Sequence, residues 1–275
     1  MNVTFHHPEE GLLKKIGRDL LEKAMGISDL NNVMKKIRDR GGYTNIGSGL
    51  VKFFDIEMSG RETQNFDSLK EGGPLLIVAN HPYGLPDGAM IAEVIMEHLK
   101  RTDYKFFVSH IVTKIFPELK KRGFSIENLN LDSKAVRNNA RTLLSARNHL
   151  REGGMMIMFP AGQVSGLRLY SEKGILKVCD FKWDDGFISL AKSSGATILP
   201  VLLEGNNSFT FLFWRLFGKM FGRLCLFREF IKLTPRKIKV RIKRPFLFED
   251  YQDLERGAFV KLLRKMIYSK LKEDQ

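Results

Sequence analysis

The sequence predicts an α/β fold, with a largely parallel central sheet flanked by helices and further helices at the N-terminus. Two observations predict it. From about residue 53 onward, short apolar runs alternate with longer segments of helical periodicity. Those runs also lack the polar alternation of a strand with one wet face, so they read as strands buried on both sides, as in parallel sheets.

In chain order, Leu12, Leu13, Ile16, Leu20, Leu21 and Ala24 follow helical spacing, with Lys14, Lys15, Arg18, Glu22 and Lys23 on the opposite face. Ser28 is placed to cap a second helix carrying Leu30, Val33, Met34 and Ile37. Residues 1–45 thus form a segment of amphipathic helices, whose apolar faces suit either packing or membrane contact. Residues 46–275 form the main domain. Strands are predicted over 53–58, 75–79, 105–108, 155–159, 197–203 and 238–243, and helices over 87–100, 133–151, 186–193 and 252–272. Gly153 and Gly154 end the long middle helix as a C-cap pair does.

Composition narrows the function. A 275-residue chain that is 43% hydrophobic affords a full core. Two cysteines, Cys179 and Cys225, are too few for a disulfide framework and lack metal-ligand spacing, which points to a reducing compartment and no metal. Forty-five basic against 31 acidic residues leave a formal charge of +14, suited to an anionic partner such as nucleic acid, phospholipid headgroups or an acidic carrier protein. No zinc pattern, RNA-recognition signature or helix-turn-helix accompanies that charge, which argues against nucleic acid. No apolar run reaches the roughly 18–20 residues that span a bilayer, and the polar N-terminus carries no signal-peptide core. Any membrane contact is therefore expected at the surface.

Three polar segments follow predicted strands: NHPYGLPDG (80–88), FPAGQVS (159–165) and EGNNS (204–208). Ligands of open α/β sheets bind beyond the carboxyl ends of the strands, so the three are expected to share one site. In the first, His81 is a candidate general base and Asp87 its orienting carboxylate. Read in isolation, Asp87 serves equally as a helix cap and His81 as a loop residue. In the second, Gly162 permits backbone N–H groups to approach a ligand or a developing oxyanion.

Together these segments resemble the glycerolipid acyltransferase superfamily. Within it the chain is most similar to the hemolysin-like branch, which includes acyltransferases of lyso-ornithine and lyso-glycine lipids. The likeness extends from about residue 53 to 248 and takes in Trp183-Asp184-Asp185-Gly186-Phe187 and Arg228-Glu229-Phe230. It implies that His81 removes a proton from a substrate hydroxyl that attacks an acyl thioester directly, with Asp87 holding His81. Most of the superfamily has four residues between the pair; the five found here match the hemolysin-like branch. The resemblance also implies substrate contacts from Asn80, Gly84, Gly88, Phe159, Pro160, Gly162, Gln163, Ser165, Asn207 and Ser208. One departure stands out: the glutamate usual in the second segment is replaced, with Ala161 and Gln163 at the two positions it occupies.

A second region, 209–230, is rich in phenylalanine. Arg215, Lys219 and Arg223 recur every four residues, which on a helix makes a basic stripe opposite Trp214, Phe217 and Phe221. That composition suits a helix lying in an anionic membrane interface.

The expected function is therefore O-acylation of a lysolipid, either a lyso-aminolipid or lysophosphatidic acid. The co-substrate is the thioester of acyl-carrier protein or coenzyme A, with no tightly bound cofactor, and the protein is peripheral at the cytoplasmic face of the membrane. The competing reading is a membrane-active, hemolysin-like lipid-binding protein on a degenerate acyltransferase fold.

Overall fold

The structure is a computed structural model that describes residues 27–41, 46–53, 56–59, 66–67, 69, 72–115, 117–127, 132–170, 175–216, 225–226, 228–231 and 236–269. The predicted helix over 12–24 and the positions Phe217, Lys219, Phe221 and Arg223 lie outside the described residues.

A seven-stranded sheet organises the chain. Its strands are β1 (Ile56–Ser59), β2 (Leu75–Ala79), β3 (Tyr104–Ser109), β4 (Gly123–Ile126), β5 (Met155–Met158), β8 (Thr197–Leu203) and β9 (Arg236–Ile242), in the order β1-β9-β8-β2-β5-β3-β4. From β8 through β4 every neighbouring pair is parallel; β9 runs antiparallel to β8 and pairs in parallel with β1. A separate antiparallel hairpin is formed by β6 (Gly166–Tyr170) and β7 (Ile175–Cys179). The helices are α1 (Ile27–Gly41), α2 (Ile46–Phe53), α3 (Leu85–Leu99), α4 (His110–Ile115), α5 (Ser133–Arg151), α6 (Gly186–Ser194), α7 (Phe209–Leu216) and α8 (Arg256–Tyr268).

Why β2 carries no polar residue is plain from its two faces. Leu75, Ile77 and Ala79 pack with Met90, Ile91 and Ile95 of α3 and Leu30, Met34 and Ile37 of α1. Leu76 and Val78 face the other way, into a layer with Leu150 of α5, Phe187 and Ala191 of α6, and Phe259 and Leu263 of α8. Both sides are buried, so a period of two sorts the residues between two apolar layers rather than between core and water. The fold is the predicted one, a mainly parallel sheet between helical layers.

Several elements differ from expectation. The strand predicted from residue 53 begins at Ile56, because 46–53 closes a helix whose Leu50 is buried. The helix predicted over 252–272 starts later, as α8 at Arg256, with a 3-10 turn (Phe248–Tyr251) ahead of it; residues 270–272 lie outside the described residues. The hairpin of β6 and β7 was not anticipated, although its alternation is visible: Leu167 and Leu169 flank Arg168, which pairs with Lys177 between Leu176 and Val178.

Candidate active site

Strand order brings the three segments together. β8, β2 and β5 are consecutive and parallel, so their carboxyl ends, followed by residues 204–208, 80–88 and 159–165, lie side by side at one edge of the sheet. This is the crevice position at which α/β sheets bind ligands.

The first segment turns tightly into α3. Gly84 has φ +94° and ψ −117°, a conformation effectively restricted to glycine. A Cβ there would lie 2.8 Å from Leu226 Cδ1 and 3.1 Å from Val164 Cγ2. The turn places Asp87 in the first turn of α3, fully buried, beneath its own loop. Asp87 Oδ2 accepts hydrogen bonds from the backbone N–H of Tyr83 (3.0 Å) and Gly84 (3.0 Å). His81 Nδ1–H donates to the same oxygen at 2.8 Å. Asp87 is thus both a cap for the helix and a partner for the imidazole, so the two readings of the motif describe one carboxylate. Burial pushes its carboxyl group above the usual range, against the contrary pull of its bond to His81. Its contribution to stability is then complete below the unfolded carboxylate value of about 4 and declines as pH rises through the folded value. The unfolding free energy of the wild type, measured in urea against that of Asp87→Asn, should accordingly move against the wild type as pH is raised from about 4 toward neutrality.

His81 keeps 18% of its side-chain surface exposed, whereas Asp87 keeps none. The Phe159 ring stacks on the imidazole with centroids 4.2 Å apart and planes 21° apart. Gly88 lies beside that ring, where a Cβ would make only an ordinary contact with Phe159 Cε2 at 3.9 Å. From the second segment, Ser165 N–H donates to His81 O at 2.8 Å. The imidazole is thereby fixed by a carboxylate, an aromatic face and its own main chain.

The remaining predicted residues lie in the same region, but several turn inward. The side chain of Asn80 donates to Leu203 O (2.9 Å) and accepts from Leu203 N–H (2.7 Å), locking β2 to β8. Asn207 Nδ2 donates to Pro82 O at 3.1 Å. Ser165 is 3% exposed, and its hydroxyl donates to Asp180 Oδ1 at 2.5 Å. Ser208 caps α7 by accepting from Phe211 N–H, and its own hydroxyl donates to Glu229. These four were expected to face a ligand; their polar groups hold the loops, in Asn80, Ser165 and Asn207 because buried polar atoms require partners, whereas Ser208 does so at the exposed start of α7. Pro160 is buried and its carbonyl accepts from Asp184 N–H. Gly162, at φ +60°, faces open space, but its N–H donates to Phe159 O and so closes the turn rather than serving an oxyanion.

Arg215 departs furthest from expectation. Rather than lining an outward stripe, it turns toward the second segment. Its Nη2 donates to Gln163 Oε1 at 3.1 Å, and its guanidinium lies 4.6 Å above the Phe181 ring. Gly166 leaves the space it occupies. The exposed face of α7 is apolar instead: Phe209, Phe213, Trp214 and Leu216 are 76%, 44%, 43% and 63% exposed. Phe211 and Leu212, on the inner face, are buried.

Among the described residues, no helix is long and apolar enough to cross a membrane, and no group of three or more His, Cys, Asp or Glu is placed to hold a metal.

A family model described as Acyltransferase matches residues 60–204, more than half of the chain. The chain belongs to the acyltransferase family. This acyltransferase finds no match among curated proteins. Among solved structures it is similar to the 1-acyl-sn-glycerophosphate (LPA) acyltransferase, PlsC, from Thermotoga maritima, at 21% identity and a TM-score of 0.45. That match covers 89% of this chain and 80% of that one. The span matched by the family model contains the first two segments whole and ends at Glu204, where the third begins.

Sequence reasoning missed three residues of the acyltransferase site. Tyr83, between His81 and Asp87, donates its hydroxyl to Glu204 O at 3.0 Å and lies over Gly205. A Cβ at Gly205 would collide with the Tyr83 hydroxyl, and φ there is +113°. Gly205→Ala should therefore cost about 2–3 kcal/mol in urea unfolding, from backbone strain and a displaced tyrosine. Glu229 anchors Ser208 through both the backbone N–H and the hydroxyl. Asp180, fully buried after β7, bonds both Ser165 and the His81 backbone. No local pattern marks Asp180; only the hairpin brings it to the site.

Proposed function

We propose that this acyltransferase moves a fatty acyl group from the thioester of acyl-carrier protein or coenzyme A to the free hydroxyl of a lysolipid, with His81 as general base. The observation that carries the reading is the 2.8 Å contact between His81 Nδ1 and a buried Asp87, at the sheet edge where three loops converge. With the Nδ1 proton donated to Asp87, the Nε2 lone pair is free to accept the hydroxyl proton. The hydroxyl oxygen bonds to the thioester carbonyl carbon as its proton passes to Nε2. The tetrahedral intermediate then expels the thiolate, which takes the proton back from the imidazolium. Asp87 stabilises that imidazolium as it forms. No covalent enzyme intermediate is needed. Burial holds the thiols of both Cys179 and Cys225 above their ordinary proton affinity, which disfavours thiolate formation at either.

The five-residue interval between His81 and Asp87 supports placement in the hemolysin-like branch and a lyso-aminolipid or lysophosphatidic acid acceptor. Gln163, held by Arg215, supplies a neutral amide and a neighbouring cation where the family's usual glutamate would bring negative charge. That exchange favours an acceptor whose headgroup carries an anion. The assay is transfer of radiolabelled palmitate from palmitoyl-CoA or palmitoyl-acyl-carrier protein to lyso-ornithine lipid or lysophosphatidic acid. It is paired with mass spectrometry of lipids from cells with and without the gene. A missing diacyl species names the acceptor; an unchanged lipidome and no transfer with any pairing reject the reading.

The acyltransferase acts as a peripheral protein at the cytoplasmic membrane face. The exposed aromatic side of α7 supports this, because contiguous apolar surface of that kind marks contact with a membrane or a partner. Inserting the exposed part of each large ring contributes about 1 kcal/mol. Phe213→Ser together with Trp214→Ser should then weaken binding to phosphatidylglycerol vesicles about tenfold or more in sedimentation. Unchanged binding would exclude α7 as the contact.

A further inference from the structure

Asp180 is a buried carboxylate with no part in the proposed proton transfer. β6 begins at Gly166, directly after Ser165, and β7 returns antiparallel with Cys179 opposite Gly166. Continuing that register by one residue sets Asp180 against Ser165. Its carboxylate receives three donors. Oδ1 accepts from His81 N–H at 3.1 Å and from Ser165 Oγ–H at 2.5 Å, and Oδ2 accepts from Trp183 Nε1–H at 2.9 Å. Its main chain is tied to α8: Asp180 N–H donates to the Tyr268 hydroxyl at 3.1 Å, and Arg264 Nη2 donates to Asp180 O at 2.6 Å. The side chain is 0% exposed.

The consequence falls on His81. Its N–H is held by Asp180, and its C=O is held by Ser165 N–H at 2.8 Å. Ser165 is itself fixed by Asp180 through its hydroxyl. One carboxylate therefore governs both sides of the His81 main chain, while Asp87 governs the ring. A catalytic group displaced by about 1 Å loses on the order of a hundredfold in rate. We infer that Asp180 is a positioning residue of this acyltransferase: together with Ser165 and Trp183 it clamps the His81 backbone, so that the imidazole orientation set by Asp87 is directed at the substrate hydroxyl. This rests on the proposed role of His81 as base.

The chemistry of an amide supplies the test. In Asp180→Asn, one end of the side chain becomes an NH2 group, which must face either the His81 and Ser165 donors or the Trp183 indole N–H. Removing the indole donor by Trp183→Phe leaves the NH2 group an end without conflict and lets the carbonyl oxygen face His81 and Ser165.

The full chain and the variants His81→Ala, Asp180→Asn, Trp183→Phe and Asp180→Asn/Trp183→Phe are compared in three measurements. These are melting temperature, amide hydrogen exchange of the peptide covering residues 80–84, and steady-state kinetics with whichever of the palmitoyl donors and lysolipid acceptors named above the wild type turns over. For Asp180→Asn we expect exchange of the His81 amide to rise at least tenfold, kcat to fall 10- to 100-fold, and KM for the acceptor to stay within twofold. In the double variant, both exchange and kcat return most of the way. A variant that melts far below the wild type with no recovery in the double variant overturns the inference in favour of a purely structural role. So does an Asp180→Asn enzyme with unchanged kcat, or one whose loss lies in KM. If His81→Ala retains full transfer, the role of His81 as base fails instead, and the exchange measurement shows separately whether the backbone clamp exists.

Discussion

His81→Ala should lose acyl transfer by about 10³-fold or more in kcat/KM and leave vesicle binding unchanged. General bases contribute about 10²- to 10⁴-fold, and His81 is the one imidazole at the convergence of the three loops among the described residues. Its ring is only partly exposed and rests on Phe159, so truncation removes a reacting group without opening the core. The apolar face of α7 belongs to another element. Loss of turnover with retained binding is what an enzyme predicts. A protein acting by bilayer disruption would keep its membrane effect in the same variant, which separates the two readings suggested by the basic, aromatic sequence. Three measurements check this: transfer of labelled palmitate, sedimentation with phosphatidylglycerol vesicles for binding, and leakage of dye from the same vesicles for disruption.

Asp87→Asn should show the second-largest effect, a fall of about 10²- to 10⁴-fold in kcat. Two physical effects combine. The amide cannot stabilise an imidazolium as a carboxylate does, and it favours the wrong tautomer by offering an N–H where His81 Nδ1 donates. The three donors that converge on Oδ2 must also share one carbonyl oxygen or face the amide NH2 group. A buried donor left without an acceptor costs about 1–3 kcal/mol, so the melting temperature should fall as well. The two contributions separate on comparison with His81→Ala/Asp87→Asn. If Asp87 acts through His81, the double variant is no slower than His81→Ala, while its stability still drops. An Asp87→Asn enzyme within tenfold of wild-type kcat would mean that the carboxylate is a helix cap alone.

How far the chain could be read in advance follows from the range of the forces involved. β2, β8 and α5 have the predicted limits because each is specified by an uninterrupted local pattern: an apolar run between turn residues, or a helical period closed by paired glycines. The contact between His81 and Asp87 was legible once the resemblance of its segment to the acyltransferase motif stood beside the local pattern. The five residues between His81 and Asp87 include two prolines and a glycine and have few conformations, and the helix that starts at Leu85 needs an acceptor in its first turn. The hairpin of β6 and β7 was legible but unread, since its alternation was overlooked among charged residues.

Other features lay beyond local pattern. Arg215 sits on the periodic stripe that suggests a headgroup contact, yet it reaches Gln163, 52 positions away, because Gly166 leaves a space and Phe181 a face for its guanidinium. Asn80 bonds Leu203 across 123 positions, and His81 bonds Asp180 across 99. Residue order along the chain was thus enough for the class of fold and six of the seven strands of its main sheet, all but β4, since these depend on neighbours within a few residues. The direction of each polar side chain at the sheet edge, inward to hold a loop or outward to meet a substrate, was decided only by three-dimensional packing. A buried donor or acceptor bonds whichever partner the fold brings within about 3 Å, and nothing in the local sequence names that partner.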